Sequence, residues 1–153
     1  LDCIALFGKR PSLVDGPLRP WQQQIDDLIT APANDREIIF VYDPNGNSGK
    51  SWLTRYWFTK FPHSMQFLSV GKRDDLAHSV RADTELFVFD IPRGQLEYFQ
   101  YSVLEQLKNR LVYSPKYNSG TKVLDVTPHV VVFTNDEVDL TKLTEDRYKV
   151  IEI

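Results

Sequence analysis

The residues Asp43-Pro44-Asn45-Gly46-Asn47-Ser48-Gly49-Lys50-Ser51 have the types that phosphate binding requires, in a workable order. Glycines let backbone amides turn inward around a phosphate, an ammonium at Lys50 neutralises β and γ oxygens, and a hydroxyl at Ser51 can ligate Mg2+. A strict phosphate-loop pattern would have glycine where Pro44 stands, so the shape of the loop is expected to be unusual. On this reading Pro44, Asn45, Gly46, Asn47, Ser48, Gly49, Lys50 and Ser51 line the phosphates of ATP.

Two further polar residues close strongly apolar runs. Leu86-Phe87-Val88-Phe89 ends on Asp90, which would place a carboxylate at the carboxyl edge of a sheet, beside a bound Mg2+. Val130-Val131-Val132-Phe133-Thr134 ends on Asn135, an amide able to donate to phosphate and accept from water at once. Ser51 and Asp90 are therefore the expected metal-side pair, with Lys50, Asp90 and Asn135 as catalytic candidates.

The elements that must position these groups follow from periodicity. Ile38 to Tyr42 reads as a buried strand directly before the loop, and Trp52, Leu53, Tyr56 and Trp57 recur at helical spacing directly after it until Pro62. A helix over Pro17 to Thr30 carries Trp21, Ile25, Leu28 and Ile29 on one face. A short apolar run at Met65 to Leu68, a polar helix near Asp74 to Val80, the strand at Leu86 to Phe89 and a stripe through Tyr98, Tyr101, Val103, Leu104 and Leu107 complete an α/β alternation. Leu111 to Tyr113 and Val123 to Leu124 flank Asn118-Ser119-Gly120, which predicts a hairpin with an exposed tip. Lys116, Tyr117 and Lys122 flank that tip. Lysines can follow a nucleic-acid backbone and tyrosine can stack on a base.

With 153 residues and 42% hydrophobic content the chain suits one domain with a substantial core. Its apolar runs fall far short of the roughly 18 residues that span a bilayer. A lone cysteine, Cys3, offers no internal disulfide and fits a reducing compartment. A formal charge of -3 argues against binding nucleic acid by bulk positive field, leaving local clusters for such contacts. The opening Leu1-Asp2-Cys3-Ile4 is consistent with a fragment of a larger protein.

Pro44-Asn45-Gly46-Asn47-x-Gly49-Lys50-Ser51 resembles the phosphate loop of replication initiator (Rep) proteins from circular single-stranded DNA viruses and their satellites, which carry superfamily 3 helicase domains. Family members usually have glycine at the position of Asp43, whose carboxylate would either oppose phosphate or point outward. Phe89-Asp90-x-Pro92-Arg93-Gly94, followed by Tyr98-x-x-Tyr101-Ser102-Val103, is similar to initiators of nanovirus-like and alphasatellite elements. Many superfamily 3 motors have two consecutive acids where this chain has Asp90-Ile91, so the resemblance identifies no water-orienting base.

The resemblance implies a P-loop ATPase core of AAA+-like superfamily 3 type: a central, mostly parallel sheet flanked by helices, with a β-hairpin before the sensor strand. Residues 35 to 153 would form that core, and residues 1 to 34 an N-terminal segment and helix left from an oligomerisation subdomain. Asn135 would sense the γ-phosphate. Leu143-Thr144-Glu145-Asp146-Arg147 resembles the closing segment of the family domain, which makes Arg147 a candidate arginine finger acting across subunits. Lys116, Tyr117 and Lys122 would grip single-stranded DNA in the channel of a homo-oligomeric, hexameric ring. A full-length initiator would add an N-terminal nicking nuclease and work in the host nucleus; His63, His78 and His129 stand apart, so this chain itself is not expected to nick. The alternatives are a superfamily 3 helicase acting on viral RNA and an ATP-binding oligomerisation module with little turnover. A small-molecule kinase would need an arginine-rich lid, and the sequence has no such cluster.

Overall fold

The computed structural model describes residues 15 to 118 and 120 to 153; Cys3 and Ser119 of the expected hairpin tip lie outside the described residues. Five short apolar runs become strands: β1 (Ile38–Tyr42), β2 (Met65–Leu68), β3 (Leu86–Ile91), β6 (His129–Thr134) and β7 (Tyr148–Glu152). They form one sheet in the order β2-β3-β6-β1-β7, with every neighbouring pair parallel. The remaining strands, β4 (Leu111–Ser114) and β5 (Gly120–Val123), pair with each other as the expected antiparallel hairpin directly before β6.

Continuous hydrophobicity in the central strands is explained by helices on both faces, because successive side chains of a strand point to opposite sides. Among the described residues four helices supply the cover: α1 (Pro20–Thr30), α2 (Lys50–Lys60), α3 (Arg73–Ser79) and α4 (Tyr101–Lys108). Ile38, Phe40, Phe87, Phe89, Val130 and Val132 face Leu76, Ala77, Leu104 and Leu107 of α3 and α4. Ile39, Val41, Val88, Val131 and Phe133 face Ile25 and Ile29 of α1 and Leu53 and Trp57 of α2. Trp57 is wholly buried, stacks on Phe133 and donates its indole N–H to Asp26 Oδ1 at 3.0 Å, joining α2 to α1 and the sheet.

Several boundaries differ from the sequence expectation. The third strand runs past Phe89 to Ile91, because Ile91 is also buried and pairs with Thr134. Tyr98 belongs to a short 3-10 turn, Leu96–Tyr98, and is exposed, so the helical stripe starts at Tyr101. The first helix starts at Pro20, where the fixed φ of proline suits the first helical position, and its N-terminus is held by the Gln22 side chain accepting from the Arg19 amide at 2.8 Å. No helix among the described residues is long and apolar enough to cross a membrane.

Candidate functional site

With all five strands parallel, their carboxyl ends share one edge of the sheet, where ligands of open α/β sheets bind. Strand β6 lies between β1 and β3, and its Thr134 pairs with both Tyr42 and Ile91. The next residues in each strand, Asp43, Asn135 and Pro92, consequently emerge side by side. Asp43 extends the pairing by one step, its amide donating to the Thr134 carbonyl at 2.9 Å.

The chain then folds into a loop from Asp43 to Gly49. Asp43 is fully buried, and its Oδ1 accepts the Gly46 amide at 2.9 Å, closing a tight turn. Gly46, Asn47 and Gly49 have φ values of 74°, 57° and 97°. At Gly49 a Cβ would lie 2.9 Å from Gln22 Nε2, so both the backbone conformation and the close approach of α1 demand glycine. That approach is a clamp: Arg19 Nη1 and Trp21 Nε1 donate to the Ser48 carbonyl at 2.7 and 3.1 Å, and Gln22 Nε2 donates to the Gly49 carbonyl at 3.0 Å. While α1 holds these carbonyls, the amides of Ser48, Gly49 and Lys50 have no acceptor among the described residues. Three adjacent unpaired donors at the start of an eleven-residue helix are the arrangement that anion binding at a helix N-terminus requires.

Lys50 Nζ lies 3.4 Å from Asp43 Oδ2, with only 12% of the lysine side chain exposed. Burial alone would raise the Asp43 pKa; the Ser48 hydroxyl, the Gly46 amide and Lys50 outweigh it and hold the carboxyl below its ordinary value. Of the two expectations for this carboxylate, the outward one is excluded. The group points inward, onto the lysine, and shapes the loop.

Lys50, Ser51 and Asp90 line one cleft of about 180 Å³, together with Thr54, Arg55, Phe58, Phe67 and Phe133. Burial raises the Asp90 pKa and Lys50 opposes that rise. The described residues include no cluster of three His, Cys, Asp or Glu able to hold a metal by themselves. One carboxylate beside one hydroxyl fits Mg2+, which usually keeps waters and substrate phosphates in its shell and takes one or two protein ligands.

Asn135 reaches the same loop, donating from Nδ2 to the Asp43 carbonyl at 2.9 Å. Arg93, which the sequence reading gave no chemical role, also arrives here. Its Nη2 donates to the Pro44 carbonyl at 3.4 Å, and a Cβ built on Gly46 would lie 3.7 Å from both Arg93 Nη2 and Asn135 Nδ2. The signal in the sequence was its place three residues beyond Asp90, after a proline that turns the chain. The Gly94 amide donates to Asp136 Oδ2 at 2.8 Å and ties the two loops together.

Arg147 lies elsewhere. It directly precedes Tyr148, the partner of Ile38 at the start of β1, which puts it at the opposite edge of the sheet from Asp43. It is buried, with Nη2 donating to Asn109 Oδ1 at 3.1 Å, while Nε and Nη1 lack acceptors. Packing against the end of α4 turns this guanidinium into the interior of the chain, away from the surface that contact with a neighbouring subunit requires. Asp146 pairs with Arg36 at 2.8 Å.

The hairpin residues are separated as well. Lys122 Nζ donates to the carbonyls of Ala77 at 3.0 Å, of Val80 at 2.9 Å and of His78, closing the carboxyl end of α3. Lys116 pairs with Asp75. Tyr117 is 83% exposed, with φ 53° and its ring centroid 5.1 Å from that of His78. Of the three, only the tyrosine presents most of its surface to solvent.

No protein-family model matches the chain. Curated relatives do. Para-Rep C6 of the Subterranean clover stunt C6 alphasatellite is 43% identical over 136 residues, covering 88% of this chain and 47% of the relative. Para-Rep C3 of the Milk vetch dwarf C3 alphasatellite is 40% identical over 136 residues, with the same coverage. Para-Rep C1 of the Milk vetch dwarf C1 alphasatellite is 38% identical over 144 residues, covering 90% of this chain and 48% of the relative. The chain spans about half the length of the curated relatives it matches.

Proposed function

Because the chain is homologous to the Para-Rep proteins of alphasatellites over the stretch it shares with them, we propose that it is the ATP-hydrolysing motor part of a replication initiator of circular single-stranded DNA. The observation that carries this reading is the convergence at one sheet edge of unpaired loop amides, Lys50, Asp90 and Asn135. In the proposed mechanism the amides of Ser48, Gly49 and Lys50 receive the phosphates, and the Lys50 ammonium turns from Asp43 toward them. Ser51 and Asp90 would hold Mg2+, which when bound neutralises charge on the phosphate oxygens. Asn135 and Arg93 converge on the turn at Gly46, where they would orient water and stabilise charge on the terminal phosphate.

Hydrolysis would drive translocation along single-stranded DNA within a ring of identical subunits, in the host nucleus, with a nicking nuclease elsewhere in the full-length protein. The test is Mg2+-dependent ATP hydrolysis with and without single-stranded DNA, with single-stranded RNA of equal length as the comparison. Stimulation by DNA, with loss of turnover in Lys50→Ala and in Asp90→Asn, is expected. Equal turnover in wild type and both variants would sink the reading. A second reading rests on Ile91, where a second acid would stand: a nucleotide-gated assembly module that binds ATP tightly and hardly hydrolyses it. Tight binding with negligible turnover, DNA present or not, would select it.

A further inference from the structure

The loop is flanked by two clefts of different chemistry. On the β3 side lies the cleft of Lys50, Ser51 and Asp90. On the α1 side is a second cleft of about 300 Å³, lined by Pro17, Arg19, Gln22, Gly49 and Trp52. A triphosphate lying along the loop has two ends, and its terminal phosphate belongs beside the acid that would hold the metal. The nucleoside must then leave on the other side, where Asp90 is absent.

We propose that the cleft between α1 and the start of α2 is the nucleobase subsite, with Trp52 as the stacking platform for a purine; this rests on the phosphate-binding reading above. Trp52 is preorganised for that task. It is half-buried, its indole is stacked on Tyr56 with ring centroids 5.4 Å and planes 18° apart, and a Cβ built on Gly16 would lie 3.9 Å from its ring. A held aromatic ring loses little rotamer freedom on binding.

The polar residues of the cleft are already committed. Gln22 uses its amide nitrogen on the Gly49 carbonyl and its amide oxygen on the Arg19 amide, and Arg19 Nη1 is held by the Ser48 carbonyl. The Gln22 amide, the cleft's neutral donor and acceptor group, is only 2% exposed and is bonded to backbone at both its nitrogen and its oxygen, which holds it away from the edge of a base. Recognition by stacking follows, and stacking discriminates by ring size and not by hydrogen-bond pattern. ATP and GTP should bind alike, and CTP more weakly.

The test compares ATP, GTP, CTP and inorganic tripolyphosphate, all with Mg2+, by calorimetric titration of wild type, Trp52→Phe, Trp52→Leu and Lys50→Ala. In wild type ATP and GTP are expected to agree within about threefold and to exceed tripolyphosphate roughly tenfold, the range for one stacked base. Trp52→Phe should keep most of that preference. Trp52→Leu should lose it with tripolyphosphate binding unchanged. Independently of any variant, the indole N–H resonance of Trp52 should shift with ATP and stay in place with tripolyphosphate.

Equal affinity of wild type for ATP and tripolyphosphate, or an indole resonance indifferent to ATP, overturns the subsite. So does a strong preference for ATP over GTP, which would require edge reading. If tripolyphosphate binds and Lys50→Ala abolishes it, the phosphate reading stands whatever becomes of the subsite. If Lys50→Ala binds tripolyphosphate as wild type does, the phosphate reading falls and the subsite falls with it.

Discussion

The Asp43 carboxylate lies 3.4 Å from the Lys50 ammonium, and neither group has much access to water. Lys50 thus has an anionic partner inside its own loop, and an arriving phosphate must compete with it. The pairing also positions the lysine, since a buried cation without a partner is costly.

Replacing Asp43 by Asn tests this competition. The amide oxygen can still accept from Gly46, so the turn survives, but the charge on Lys50 is released. Triphosphate affinity is expected to rise about 5- to 30-fold, and the nucleotide-free protein to lose about 1 to 3 kcal/mol of stability. Nucleotide titration and urea unfolding measure the two effects. Weaker binding would show that Asp43 supports the occupied loop. Because the folded-state pKa of Asp43 is lowered, its contribution to stability is fully present above the unfolded value near 3.8 and is lost as pH falls through the folded value. Asp43→Asn should therefore flatten the acid limb of the stability curve.

Arg93 and Asn135 should separate by their effect on folding. Arg93 is exposed and meets the loop through one long hydrogen bond, so Arg93→Ala should change stability by no more than about 0.5 kcal/mol. Asn135→Ala removes a good hydrogen bond to the Asp43 carbonyl and should cost about 1 kcal/mol. Both should lower turnover by about 10- to 1000-fold, the range for losing one donor to developing charge. Single-turnover hydrolysis alongside thermal melts gives both numbers. Unaltered turnover in Arg93→Ala would reduce Arg93 to a surface cation.

At the hairpin, stability and DNA contact are expected to lie on different residues. Lys122→Ala removes the group that three carbonyls at the end of α3 share and should destabilise by about 1 to 3 kcal/mol. Tyr117→Ala should leave unfolding unchanged and weaken single-stranded DNA binding about 5- to 20-fold, through the loss of one stacked base. Fluorescence anisotropy with an oligothymidine and urea unfolding distinguish the two. Equal DNA affinity in wild type and Tyr117→Ala would remove the hairpin from the DNA path.

Lys108 gives an alkaline signature. It is buried with Nζ donating to the Pro128 carbonyl at 2.8 Å, and burial, assisted by Arg147, lowers its pKa from 10.5 to about 8. Between pH 8 and 10.5 the folded chain has given up a proton that the unfolded chain retains, so Lys108 adds stability as pH rises through that window and loses it as pH falls back through 8. Wild type and Lys108→Met should differ in the slope of their urea midpoints across this window, with wild type the steeper riser. Parallel slopes would mean that the ammonium keeps its proton or reaches water.

Much of the architecture was legible because local pattern and tertiary demand agreed. The runs at Ile38, Leu86 and Val130 are apolar at consecutive positions, as strands covered on both faces must be, and each became a strand of the main sheet. The glycine loop was legible for a similar reason, since left-handed backbone at Gly46 and Gly49 leaves a mark in residue type. What the sequence did not disclose was set by distant partners. Nothing near Asp43 says that its carboxylate turns toward Lys50. Nothing near Lys122 announces the end of α3, forty-odd residues earlier, and Arg147 has the same local sequence whether it faces Asn109 or solvent. The first helix was expected to remain from another subdomain, yet Ile25 and Ile29 enter the core and Arg19, Trp21 and Gln22 hold the loop. The clamp joins residues 27 to 29 positions apart and leaves no periodicity behind.

The strand order has a consequence for biosynthesis. Strand β1 is the first of the sheet to be synthesised, and both of its neighbours, β6 and β7, are among the last. While residues 43 to 128 are being added, the Ile38–Tyr42 segment can have neither lateral partner, although β2 and β3 can already associate. A ribosome stalled before Val130 would therefore carry a nascent chain with two open hydrogen-bonding edges on its most apolar strand, the kind of species on which chaperones act.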